Sequence, residues 1–341
     1  MEKCRATAIL GSVTMTAMEC RAPGAGLVRL ERPVPAPGPR EVLVEVAACG
    51  VCRTDLHVLD GEIPANYPIV PGHEIVGRVA ALAEGVDGLA LGDRVGVPWL
   101  ARTCGLCRYC REGRENLCDA PEFTGATRDG GYATHAIADA RYCFALPDAL
   151  DDIHAAPLLC AGPIGWRAYR MAGEAPRLGL YGFGAAAHLL AQVAVHQGRE
   201  VFAFTQPGDA AGQAFACSLG CAWAGDSDQK PPAELDAAIL FAPVGALVPL
   251  ALRAVRKGGR VVCAGIHMSY IPSFQYAHLW GERQIVSVAN LTRADGVESL
   301  TVAAKIGLRP TVTAFPLDRA EDAIAQVRAG TIDGAAVLVP E

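Results

Sequence analysis

Residues 178–205 read LGLYGFGAAAHLLAQVAVHQGREVFAFT. The opening Leu178–Tyr181 is short and apolar, as a buried strand is. Ala185–Val195 is rich in helix formers, and Glu200–Thr205 returns to β-branched and aromatic residues. Between the first strand and the helix stand Gly182, Phe183, Gly184, Ala185, Ala186 and Ala187, a G-x-G-x-x-A pattern. Two glycines let the backbone turn tightly and approach a pyrophosphate at the helix N-terminus. The small third residue lets helix and strand pack closely. The stretch therefore predicts strand, glycine turn, helix and strand, the dinucleotide-binding start of a Rossmann sheet.

The same rhythm continues outward. LDAAILFAP (235–243) predicts a strand, LVPLALRAVRKGG (247–259) a helix and RVVCAGI (260–266) another strand. Upstream, DIHAAPLLCAGPIGWRAYR (152–170) reads as helical. Strands alternating with helices point to a parallel α/β sheet. Residues 1–151 have a different texture. TAMECRA, EVLVEVAAC and GRVAALAE read as strands, and PVPAPGPR as a turn-rich connector, the composition of a compact β domain. The expected organisation is 1–151 for that domain, 152–284 for the Rossmann domain and 285–341 for a mixed tail.

Residues 104–118, CGLCRYCREGRENLC, hold Cys104, Cys107, Cys110 and Cys118 in a C-x2-C-x2-C-x7-C run. Four thiolates at this spacing wrap one tetrahedral ion, and zinc is the usual occupant; with no position left for water, such a site is structural. A second set is scattered: Cys52 in GVCRTDLH, His73 and Glu74 in PGHEIVG, and Cys160 in PLLCAGPIGW. One imidazole and two thiolates leave a fourth position open, the composition of a catalytic zinc site.

With those motifs, GVCRTDLH, GHEIVGRVAALAEGV (72–86), GDRV (92–95), LLCAG (158–162) and YGFGAAAH (181–188), the chain resembles the medium-chain zinc-dependent alcohol dehydrogenases over essentially its whole length. The resemblance implies an α/β molecule: a GroES-like β-barrel catalytic domain carrying a zinc lobe (101–120), plus a Rossmann coenzyme-binding domain. It also implies that the tail rejoins the first domain. Two zinc ions per chain and NAD(H) or NADP(H) follow as cofactors. Cys52, His73 and Cys160 are then the catalytic ligands, and Thr54 takes the proton of the alcohol. His57 passes that proton on, by way of the coenzyme ribose, to solvent. Their plainer roles are a helix N-cap for Thr54 and a surface histidine for His57. Asp55 orients His73. Glu74 stands near the metal or in a buried ion pair, and Arg53 meets the pyrophosphate or is solvated. Trp99 matches a wall of the alcohol pocket and favours slim primary alcohols, or is a core aromatic. Cys49 packs in its strand and is no ligand. The other histidines, His135, His154, His188, His196, His267 and His278, lack motif context and are read as structural.

Two stretches depart from the family pattern. An NAD enzyme carries Asp or Glu after the second strand for the ribose 2′-hydroxyl. Here Thr205 and Gln206 stand there, with no acid before Asp209 and no Arg beside Thr205. Both coenzymes are expected, with a lean to NADP(H). Near the C-terminus, where many relatives place an Arg that reaches the coenzyme phosphates, the chain has Gly334-Ala335-Ala336-Val337.

Bulk properties exclude other classes. The 341 residues suffice for two domains, with 51% apolar and 19% charged residues and a formal charge of −6. No basic cluster suits nucleic acid, and no apolar stretch has transmembrane length. Six of thirteen cysteines are explained as ligands. The remaining Cys4, Cys20, Cys49, Cys143, Cys217, Cys221 and Cys263 read as buried free thiols of a cytoplasmic protein. The resulting expectation is an alcohol dehydrogenase for primary alcohols and aldehydes, a homo-dimer or homo-tetramer, with no nucleic-acid or membrane partner. Its rivals are an NADPH-dependent reductase of bulkier or aromatic aldehydes and a non-catalytic zinc- or nucleotide-binding relative.

Overall fold

The computed structural model describes residues 13–332 and 334–340. Of these described residues, those up to Cys160 together with those from Thr292 form one compact unit, and Ala161–Leu291 form a second.

The first unit is built on the strand Glu41–Val51. Val42, Leu43, Val44 and Val46 are all buried in the core, and Glu45 is left outside. The strand pairs antiparallel with Glu74–Leu82, with His135–Asp139 and with Ala335–Val339. The sheet has seven strands: Val312–Pro316, Ala335–Val339, Glu41–Val51, Glu74–Leu82, Arg94–Val97 and Phe144–Ala145 in that order, with His135–Asp139 paired to Glu41–Val51 off this path. The tail thus rejoins the first domain directly, with Val337 opposite Gly50. Its core contains Leu43, Val44, Ile75, Val95, Tyr132 and Leu338. The segment Asp152–Leu159 packs on Glu41–Val51 and Glu74–Leu82, and so stays with this unit.

The second unit holds six parallel strands in the order Trp223–Asp226, Glu200–Thr205, Arg177–Tyr181, Leu235–Leu240, Val255–Cys263, Gln284–Ser287. Numbered along the chain within this unit, that order is 3-2-1-4-5-6, the doubly wound arrangement. The stretch 152–170 is not one helix. A short helix Asp152–Ala155 passes into a 3-10 turn, Ala156–Leu159, carrying Pro157; the α-helix resumes only at Ala161–Ala172. Proline lacks the amide that would continue the ladder, so Cys160 lies at the break. The stretch 247–259 also divides. Its helix ends at Ala254, and Val255 begins the next strand opposite Leu235, its side chain 1% exposed. Burial of a β-branched side chain against a neighbouring strand outweighs the weak helical preference of the run. Among the cysteines, Cys217 is exposed, not buried, because it lies on the outer side of the helix Ala210–Ser218; Cys143 and Cys263 are half-buried. Cys4 lies outside the described residues.

Candidate metal centres and coenzyme turn

The helix Arg53–Leu59 positions the scattered donors. Cys52 is its N-cap, and its Sγ accepts from the Thr54 amide at 3.3 Å. Cys52, not Thr54, therefore caps the helix. Asp55 closes the capping box, its Oδ2 accepting from the Cys52 amide at 2.9 Å. Its other oxygen accepts from the Gly72 amide at 3.2 Å and from His73 Nδ1 at 3.0 Å. Both Asp55 and His73 are fully buried. With Nδ1–H committed to Asp55, His73 presents the lone pair of Nε2, which lies 3.2 Å from Cys52 Sγ. Cys52 and Cys160 sulfurs are 3.9 Å apart.

Cys52, His73, Glu74 and Cys160 bring one donor atom each to within 4.8 Å of the others. Thiolates on one tetrahedral zinc stand about 3.8 Å apart at ordinary zinc–sulfur bond lengths, so the donor set fits that ion. Glu74 carries the fourth candidate donor atom of the group, beside Cys52, His73 and Cys160. It is buried, and burial, followed by the Cys52 charge, holds its carboxyl well above the usual range. A Cβ on residue 50 would lie 1.7 Å from Glu74 Oε2, so Gly50 is what admits this carboxylate. The hydrogen bond with Cys160 and the neighbouring His73 hold the Cys52 thiol well below its ordinary value, against its burial.

Around this centre, Trp99 sets its ring edge-on to His73 at 5.1 Å and stacks on Phe123 at 4.9 Å. Thr54 is half-buried, one helical turn from His57 on the same face. His57 Nδ1 meets Glu62 Oε2. Arg53 is exposed at the first helical position. Cys49 is buried in the strand Glu41–Val51 and is not among the donors.

The second donor set is compact. Cys104, Cys107, Cys110 and Cys118 also lie within 4.8 Å of one another. Cys104 Sγ stands 3.5 Å from Cys118 Sγ and 4.0 Å from Cys110 Sγ, again matching a tetrahedral ion. Amides point at the sulfurs: Leu106 and Cys107 donate to Cys104 Sγ, and Cys104 and Ala120 donate to Cys118 Sγ. Such donors stabilise thiolate. Those of Asp119 and Cys110 bring the Cys107 thiol down to about 6.

In the second unit, Gly182 adopts φ +85°, and a Cβ there would come within 2.7 Å of the Ala242 amide nitrogen. Its amide donates to Phe204 O at 2.8 Å, tying the turn to the end of the neighbouring strand. Gly184 is the N-cap of Ala185–His196 with no side-chain cap, and a Cβ built on it meets nothing within 4 Å. Open amides at a twelve-residue helix start suit a pyrophosphate. Phe183 is half-buried, Ala185 and Ala186 line the first turn, and Ala187 is fully buried, as the packing role of the third small residue requires. Thr205 ends the strand Glu200–Thr205. It is 3% exposed; its Oγ1 donates to Gln206 O at 3.3 Å and accepts from Gln213 Nε2 at 3.2 Å. Gln206 is exposed. Gln213 and Asp226, which complete this network, belong to no sequence motif. Among the described residues no helix is long and apolar enough to cross a membrane.

Residues 38–148 match the family model described as the alcohol dehydrogenase GroES-like domain. A probable alcohol dehydrogenase, AdhA, of Mycobacterium tuberculosis is 46% identical, over 96% of this chain and 98% of its own length. A putative zinc-binding dehydrogenase of Sinorhizobium meliloti 1021, solved with NADP, superposes with a TM-score of 0.87 at 25% identity, covering 96% of this chain and 100% of that one. The acetophenone reductase of Geotrichum candidum, solved in complex with NAD, does so with 0.85 at 26% identity, covering 96% and 98%. The GroES-like sheet, the 3-2-1-4-5-6 parallel sheet, the two donor sets and a relative alike over nearly the whole chain converge: this protein belongs to the medium-chain zinc-dependent alcohol dehydrogenase family.

Proposed function

We propose that this oxidoreductase interconverts primary alcohols and aldehydes, with one catalytic and one structural zinc per chain. The observation that carries the reading is the pair of donor sets of different composition, four thiols in one and two thiols, an imidazole and a carboxylate in the other. When bound, zinc supplies Lewis acidity that lowers the pKa of an alcohol, and nicotinamide supplies the hydride acceptor.

The protein's own groups do the rest. Cys52, His73 and Cys160 hold the metal, and Glu74, packed against Gly50, stands beside them. Asp55 fixes the His73 tautomer. The Thr54 hydroxyl would take the proton of the alcohol, and His57, one helical turn further on the same face, would pass it to solvent. The Trp99 indole, edge-on to His73, narrows the space beside the ligand and favours slim substrates. The Gly182–Ala187 turn receives the pyrophosphate, with Arg53 as a further contact. Thr205 and Gln206, neutral where an acid would reject a 2′-phosphate, support use of both coenzymes with a modest lean to NADP(H). A homo-dimer or homo-tetramer accords with the symmetric default of enzymes, and free thiols accord with a reducing cytoplasm.

Metal analysis of purified protein gives two zinc ions per chain. Gentle chelation removes the Cys52 zinc first and abolishes turnover while the fold persists. One zinc per chain, or full turnover after its loss, defeats the two-site reading.

An initial-rate panel crossing NADH and NADPH with short and aromatic aldehydes tests substrate and coenzyme together. Short aldehydes should lead, with kcat/KM for the two coenzymes within about a hundredfold. Preference for aromatic aldehydes would favour the bulkier-substrate reading. A hundredfold or greater preference for NADH would show that another group reads the ribose.

A further inference from the structure

A Rossmann unit reads the ribose 2′-position at the end of its second strand, which here is Glu200–Thr205. No carboxylate follows that strand in sequence until Asp209, the N-cap of the helix Ala210–Ser218, whose Oδ1 accepts from the Gly212 amide at 2.9 Å. The sheet nevertheless brings one alongside. Thr205 and Asp226 are register partners at the C-terminal ends of adjacent parallel strands. Gln213, on the helix Ala210–Ser218, spans them: its Nε2 donates to Thr205 Oγ1 at 3.2 Å and to Asp226 Oδ1 at 2.7 Å. The same Asp226 oxygen accepts from the Gly208 amide at 3.0 Å, inside the loop that follows Thr205. Its second oxygen accepts from Gln229 Nε2 at 3.4 Å. Every one of these partners is a neutral amide, so the carboxylate charge is solvated but not cancelled. The glycine turn reaches the same strand end through the Gly182 amide bond to Phe204 O.

We propose that Asp226 is the specificity-determining residue for the coenzyme, acting from the third strand in place of an acid on the second; this rests on the coenzyme reading given above. Asp226 lies one side-chain amide behind Thr205 and directly behind the Gln206–Gly208 loop. From there it makes no direct contact of the kind an acid at position 205 makes with a 2′-hydroxyl. Its charge still opposes a dianionic 2′-phosphate, whose field reaches several ångströms when partly screened from water. The two effects together would leave neither coenzyme strongly selected. The lean toward NADP(H) that a neutral Thr205 and Gln206 permit is held small by Asp226.

The test uses the coenzyme fragments 5′-AMP and 2′,5′-ADP, with dissociation constants from titration calorimetry on the zinc-loaded protein. Asp226→Asn keeps an oxygen to accept from Gly208 and removes the charge. It should tighten 2′,5′-ADP by roughly fivefold while 5′-AMP changes less than about twofold, and the gain should shrink in high salt. Asp226→Ser, which removes the charge with a smaller group, should move the ratio in the same direction, and circular dichroism reports whether each variant is folded. A ratio equal to that of wild type in a folded variant overturns the assignment. So does equal weakening of both fragments, since the residue would then only pin the loop. If wild type binds neither fragment, the coenzyme reading itself fails and takes this inference with it.

Discussion

Thr54→Ala should lower kcat by roughly 10²–10⁴-fold, the usual contribution of a placed acid–base group, with little change in NAD(P)H affinity. The geometry makes this substitution unusually clean. Thr54 touches the metal centre through its backbone amide, which donates to Cys52 Sγ at 3.3 Å, and alanine keeps that amide. The helix Arg53–Leu59 is capped by Cys52 and Asp55, so removing the Thr54 side chain costs no cap. Zinc content and thermal midpoint should therefore match wild type, and the loss falls on the hydroxyl alone. Thr54→Ser restores the hydroxyl and should restore most of the rate. Steady-state kinetics, coenzyme fluorescence titration and metal analysis read the three quantities separately. A fall in kcat of less than about threefold removes Thr54 from the proton path. A fall accompanied by zinc loss would mean that the side chain supports the ligands instead.

The parts of this molecule legible in its sequence are those whose cause is local. Strand, glycine turn, helix and strand over residues 178–205 follow from residues a few positions apart, and the structure repeats them at Arg177–Tyr181, Ala185–His196 and Glu200–Thr205. The four-cysteine lobe is equally local, with all donors inside fifteen residues. The pairing of Val337 with Gly50 has no local signal, since both strands are short apolar runs that accept many partners; the family resemblance alone implied the return of the tail. Helix ends were least legible. Val255 sits in a run of good helix formers and is taken into the sheet by its pairing with Leu235. The position of Glu74 stayed open for a different reason. Whether an acid after a ligand faces the metal or an ion pair depends on the space beside Gly50, about 80 Å of extended chain away. The Thr205–Gln213–Asp226 network has no signal in the sequence because it is assembled from two strands and a helix, and only the sheet register reveals it.

Cys107→Ser should injure stability far more than chemistry. The lobe around it has almost no apolar core: Leu106 is 78% exposed, and the helix Arg108–Arg111 buries no residue. What orders it in the structure is a set of backbone amides aimed at the sulfurs of Cys104, Cys107 and Cys118. Four thiolates this close repel one another unless a cation lies among them, and structural zinc bound this way carries much of its domain's folding free energy, about 10–16 kcal/mol in small zinc modules. Serine keeps the shape but offers a hydroxyl that stays protonated at neutral pH, so the fourth bond is lost. One zinc per chain should disappear, residues 101–120 should become a preferred site of proteolysis, and the thermal midpoint should drop by roughly 10 °C or more. Freshly purified variant should still turn over, because Cys52, His73, Glu74 and Cys160 form a separate donor set, and that activity should decay quickly on warming. A variant that keeps two zinc ions, or that melts with wild type, would show that the lobe is held by contacts other than the metal.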